Sequence, residues 1–91
     1  MKTMHVVISG LVQGVGFRYF AMQKAREFGI RGYVRNLYSG EVEVIAQAEE
    51  GALDMLMRDL RIGPRSAHVN AVRMVWQEDD EMYNSFDIRG T

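Results

Sequence analysis

Gly14, Gly16 and Arg18 follow an apolar run and precede a helical pattern, and that spacing describes a candidate anion-binding site. Glycine lacks a Cβ, so the chain can take tight or left-handed angles there and gather backbone N–H groups around one point. A helix beginning near Phe17 adds the unpaired donors of its first turn and the positive end of its dipole. Arg18 adds a permanent charge on a planar fork that matches two oxygens of a phosphate or carboxylate. The spacing differs from a Walker loop and from the Gly-x-Gly-x-x-Gly dinucleotide fingerprint, so nucleotide cofactors find no support in it.

Asn36 is the second candidate. It shares the strand parity of Gly32 and Val34 yet is polar and close to the strand end. Alone, the glycine turn also fits a tight loop with a solvated arginine, and Asn36 a surface or turn asparagine. Together they describe hydrolysis without a protein nucleophile. Arg18 and the amides hold an anionic group and stabilise charge developing on its oxygens, while the Asn36 amide orients a water. An amide is no general base, so a substrate phosphate takes the proton. His5 and His68 have no partner at metal-ligand spacing and read as ordinary strand residues; no metal site is expected. The run Glu78, Asp79, Asp80, Glu81 lacks calcium-loop spacing and reads as a solvated connection. Arg31 and Arg35 flank Tyr33 on one side of a strand, which with Phe17 supports an alternative reading, a noncatalytic anion- or RNA-binding module. Glu41 and Glu43 oppose that field.

These residues need elements to hold them. The chain has 91 residues, enough for one domain over 1–91, and a formal charge of -1, which disfavours a nonspecific nucleic-acid or anionic-membrane binder. It contains no cysteine, which excludes disulfides, thiolate nucleophiles and thiolate metal sites. No stretch has signal-peptide or transmembrane character, so a cytoplasmic location is expected. Met4 to Leu11 reads as a central strand, and Phe17 to Phe28 as a helix that Gly29 ends. Ile30–Leu37 and Glu41–Ala48 form a hairpin through Tyr38-Ser39-Gly40. Leu53, Leu56, Met57 and Leu60 mark a second helix stopped by Gly63-Pro64. His68–Gln77 reads as a strand with Val69, Ala71 and Val75 on one side, and Phe86–Ile88 as a last short strand. The seven methionines read as adaptable core filler and Trp76 as packing or an aromatic edge. The order β-α-β-β-α-β predicts an α+β, ferredoxin-like split sandwich, with an antiparallel four-stranded core sheet and both helices on one face.

The segments Ser9-Gly10-Leu11-Val12-Gln13-Gly14-Val15-Gly16-Phe17-Arg18 and Gly32-Tyr33-Val34-Arg35-Asn36-Leu37-Tyr38-Ser39-Gly40-Glu41-Val42-Glu43 closely resemble the two signature segments of the acylphosphatases. The likeness continues through Gly63-Pro64-Arg65-Ser66-Ala67-His68-Val69 and Phe86-Asp87-Ile88-Arg89, so it spans nearly the whole chain. It implies the same topology and hydrolysis of small acylphosphates to a carboxylate and inorganic phosphate, without metal or cofactor. By motif position, Arg18 and the amides of Val15, Gly16, Phe17 and Arg18 would bind the phosphoryl group, and Asn36 would position the water. The aspartate frequent in the family's hairpin turn is Ser39 here, from which a change in turn stability and no catalytic loss is expected. The same resemblance extends to domains that open much larger hydrogenase-maturation proteins, but a chain of one domain favours a free-standing enzyme. The expected partners are an acylphosphate and phosphate, with neither membrane nor nucleic acid. The chain is expected to be a monomer, with the edge strand near Phe86 the place where self-association would occur.

Overall fold

The computed structural model describes residues 1–78 and 81–90; Asp79 and Asp80 of the acidic run lie outside the described residues. Seven elements follow one another: β1 (Lys2–Leu11), α1 (Phe17–Glu27), β2 (Arg31–Asn36), β3 (Val42–Ala48), α2 (Glu50–Ile62), β4 (His68–Gln77) and β5 (Phe86–Arg89). They build one sheet in the order β4-β1-β3-β2-β5, with β1 inside it. Both helices cover one face, the ferredoxin-like α+β arrangement. No described helix is long and apolar enough to cross a membrane.

The period-2 pattern of the strands sets the core. Met4, Val6 and Ile8 of β1, Val34 of β2 and Val42, Val44 and Ala46 of β3 point under the helices and are fully buried. Phe17, Ala21 and Ala25 of α1 and Leu53, Leu56 and Leu60 of α2 close over them. Burying one such Leu or Phe contributes about 1.5–3 kcal/mol, so this stripe fixes which way α1 faces. Helix α1 ends as its sequence dictates: Ile30 N–H donates to Ala25 O at 2.8 Å and Gly29 N–H to Arg26 O at 3.2 Å, a Schellman closure with Gly29 at φ 70°.

Three details depart from the sequence-based expectation, and a fourth adds to it. First, the sheet has five strands, because β5 joins β2 in parallel, with Val34 opposite Ile88. Second, the even alternation expected of β4 breaks. Ser9 pairs with Ala71 but Gly10 with Val69, so Asn70 is an extra residue, and Val69, Val72 and Met74 face the core while Ala71 and Val75 do not. The bulge brings the backbones together at Gly10, where a Cβ would lie 2.1 Å from His68 O. Third, the methionines divide: Met4 and Met57 are buried, whereas Met1, Met55 and Met82 are exposed, Met55 being off the Leu53–Leu56–Leu60 stripe. Fourth, the helix-free face of the sheet is partly covered. Gln47, only 4% exposed, donates to Thr3 Oγ1 and Glu81 O at 3.0 Å and accepts from Tyr83 N–H at 3.2 Å. Glu81 and Tyr83 therefore lie against that face.

Candidate active site

The end of β1, the start of α1, the end of β2 and one residue of β5 converge on a hollow of about 200 Å³. Its lining contains Gly14, Gly16, Phe17, Arg18 and Asn36, with Val12, Tyr19 and Ile88 as apolar walls, and no acidic residue. Gly16 caps α1 at φ 80°, in the left-handed region, where a side chain would be strained. The first helical bond runs from Phe20 N–H to Gly16 O at 3.0 Å, so the amides ahead of Phe20 have no intrahelical acceptor. No side chain caps the helix and no acid stands in its first turn. The positive end of the dipole therefore faces the hollow without a compensating protein charge.

Of the site residues singled out in the sequence, the hollow is lined by all but Val15. Gly14, Gly16, Phe17, Arg18 and Asn36 come to one hollow from two segments far apart in the chain. Val15 packs its side chain against the core margin and has only backbone to offer. Phe17 likewise buries its ring, 1% exposed, and can contribute only its amide. Arg18 enters none of the ion pairs formed among the described residues. Asn36 continues the inward parity of Gly32 and Val34, and its Oδ1 is a buried acceptor with no protein donor. A buried, unsatisfied amide oxygen costs about 1–3 kcal/mol, so the fold holds an acceptor there ready for a donor from outside the chain.

The acids nearest the second signature segment are engaged elsewhere. Glu41 accepts from Ser39 Oγ at 2.9 Å, from Ser9 Oγ at 3.0 Å and from Arg73 Nη2 at 3.1 Å. The bonds from Ser39 and Ser9, with help from Arg73, hold its carboxyl below the ordinary range. Glu43 accepts from Arg35 Nε at 2.6 Å and lies 2.8 Å from His5 Nε2, which must carry the proton, since a carboxylate only accepts. Burial alone would raise the Glu43 carboxyl, but the His5 and Arg35 bonds outweigh it and leave it lowered. Among the described residues no three His, Asp or Glu side chains converge as a metal site.

Three contributors have no role assigned to them by the sequence reading. Ile88 reaches the hollow only because β5 pairs in parallel beside Val34, two residues before Asn36. Tyr19 reads as an ordinary first-turn residue until the hollow is seen beside it. Gln13 ties the glycine loop to the hairpin, its Nε2 donating to Leu37 O and to Glu41 O at 2.8 Å each.

Comparison with known proteins gives a consistent result. The family model named Acylphosphatase matches residues 4–88. An acylphosphatase from Caldanaerobacter subterraneus is 45% identical over 87 residues, covering 96% of this chain and 97% of that protein. Among solved structures, acylphosphatase from Bacillus subtilis superposes with a TM-score of 0.94 at 30% identity, covering 98% of this chain and 99% of that one. The Coxiella burnetii acylphosphatase follows at 0.92 and 38% identity, covering 97% and 92%.

Proposed function

The chain belongs to the acylphosphatase family and hydrolyses the carboxyl–phosphate bond of acylphosphates to a carboxylate and inorganic phosphate, and we propose that Arg18 and Asn36 divide that reaction between them. The observation that carries the division is the contrast in one hollow between an unpaired guanidinium beside free helix amides and a buried, unpartnered Asn36 Oδ1. Arg18 and the amides of Val15, Gly16, Phe17 and Arg18 hold the phosphoryl oxygens, with Gly14 and Gly16 giving the loop its turn. Asn36 Oδ1 accepts a hydrogen bond from a water and sets it in line with the acyl leaving group. The water oxygen bonds to phosphorus as the phosphorus–acyl oxygen bond breaks. The electron pair leaves with the carboxylate, and the water's proton passes to a phosphoryl oxygen. The developing negative charge stays within reach of Arg18 throughout.

The leaving carboxylate is a weak base, so no general acid is required. The reaction as written needs no metal. The reading includes a single domain over 1–91, a monomer, and a cytoplasmic location. What supports the domain is one continuous hydrophobic core drawing on both helices and on β1, β2, β3 and β5, with Val69, Val72 and Met74 of β4 packed against it.

Hydrolysis of benzoyl phosphate by metal-stripped protein tests the mechanism. Turnover should persist in EDTA, fall with Asn36→Ala, and be inhibited competitively by inorganic phosphate. Loss of turnover on chelation, restored by a divalent cation, would refute the metal-free mechanism.

The RNA-binding reading is not favoured. Tyr33 has Arg89 stacked at 4.0 Å on its ring and Tyr83 against its edge at 6.0 Å, so no base can stack there without displacing them. Arg35 is committed to Glu43, and the Phe17 ring is in the core.

A further inference from the structure

The two halves of the site hang from strands that are not neighbours. The anion cradle follows β1 and Asn36 ends β2, with β3 between them in the sheet. Gln13 spans that gap. Its Nε2 donates to the carbonyl of Leu37, the residue after Asn36, and to that of Glu41, the residue before β3. Both protons of the amide are thereby used, each at 2.8 Å. On the other side, Gln13 is bonded directly to Gly14, where the cradle turns at φ 75°.

We propose that Gln13 is a positioning residue that fixes the separation between the Arg18 cradle and the Asn36 side chain. The proposal rests on the division of roles given above. The hairpin closes without Gln13: Leu37 N–H donates to Glu41 O at 2.8 Å, and Gly40 N–H donates to Leu37 O at 3.1 Å. Each carbonyl therefore keeps a backbone partner when the Gln13 amide is removed. What is lost is the brace between loop and hairpin. A misplacement of about 1 Å between reacting groups costs about 10²-fold in rate, although the groups themselves remain.

The test compares wild type, Q13L, Q13E, N36A and the double variant Q13L/N36A. It reads kcat on benzoyl phosphate, the inhibition constant of inorganic phosphate, and the thermal midpoint. Q13L should lower kcat by about 10–100-fold. Phosphate inhibition should shift by less than about threefold, since the cradle is intact. Q13E should lose at least as much as Q13L, because a carboxylate would face two carbonyl oxygens. In the N36A background Q13L should have little further effect, because its action runs through Asn36. Unchanged kcat in Q13L, or a loss that repeats in full on N36A, would overturn the proposal. So would a loss matched by equally weakened phosphate binding, which would make Gln13 a support of the cradle alone. If Q13L does not fold, Q13N, whose amide falls one methylene short, replaces it in the same comparison. Wild-type turnover in N36A would instead strike at the underlying division of roles.

Discussion

The hollow at the start of α1 and the helix-free face of the sheet draw on the same hairpin, yet they treat charge in opposite ways. On the sheet face, Glu43 is answered by Arg35 and His5, Glu41 by Ser9, Ser39 and Arg73, and Arg89 by the Tyr33 ring. In the hollow, Arg18 has no protein counter-charge among the described residues and Asn36 Oδ1 has no donor. Parity produces the difference. Alternate residues of one strand face opposite sides, so Arg35 joins the paired network while Asn36, next in the chain, turns to the hollow. Partners on one side settle a surface. Their absence on the other leaves a guanidinium and an acceptor available to substrate and water.

Four substitutions or conditions would break or sharpen this contrast. The largest effect is expected from Arg18→Ala, which removes the charge opposite the transferring phosphoryl group. It should lower kcat/KM by about 10⁴-fold and weaken inhibition by phosphate while leaving the far-ultraviolet circular dichroism unchanged. Asn36→Ala comes next, with kcat down about 10²–10³-fold and phosphate inhibition nearly unaltered. A comparable loss of phosphate binding in Asn36→Ala would blur the two roles. Third, Gly10→Ala forces a Cβ toward His68 O at 2.1 Å in a positive-φ position, and urea unfolding should show about 2–4 kcal/mol less stability.

The smallest effect belongs to the paired face. The Glu43 carboxyl is lowered in the folded state, so its contribution to stability is present above the ordinary carboxylate range and is lost as pH falls through the lowered value. Thermal midpoints measured from pH 7 downward should hold to about pH 5 and then decline. Glu43→Gln should flatten part of that decline, cost about 3–6 °C at neutral pH and leave kcat unchanged. An acid decline of the same depth in Glu43→Gln would assign it to other carboxylates.

The sequence disclosed the site more fully than the sheet. Gly14, Gly16 and Arg18 announce a turn, a nest and a charge in five consecutive residues, and Asn36 stands out as a polar residue on an apolar parity. Helix α1 was legible to its last turn, since Gly29 and Ile30 close it by local bonds. The misread features of the sheet depend on partners distant in sequence, whereas the exposure of Met55 follows from its place off the local Leu53–Leu56–Leu60 stripe. The bulge in β4 arises opposite Gly10 of β1, and nothing within His68–Gln77 marks it. Strand β5 has four residues, too few for a period to show whether they pair parallel or antiparallel. Gln13 bonds to carbonyl oxygens, which every residue possesses, so no residue type at 37 or 41 could reveal the brace. Ser39 behaves as expected of a turn former, its Oγ also accepting from Glu41 N–H at 3.3 Å.

The claim that Asn36 serves the water while Arg18 serves the phosphate is tested most directly by one paired measurement. It takes kcat on benzoyl phosphate and the inhibition constant of inorganic phosphate in wild type and Asn36→Ala, both metal-stripped and shown to be folded. The account predicts a kcat lower by at least about 10²-fold with phosphate inhibition within about threefold of wild type. Wild-type turnover in Asn36→Ala would contradict it.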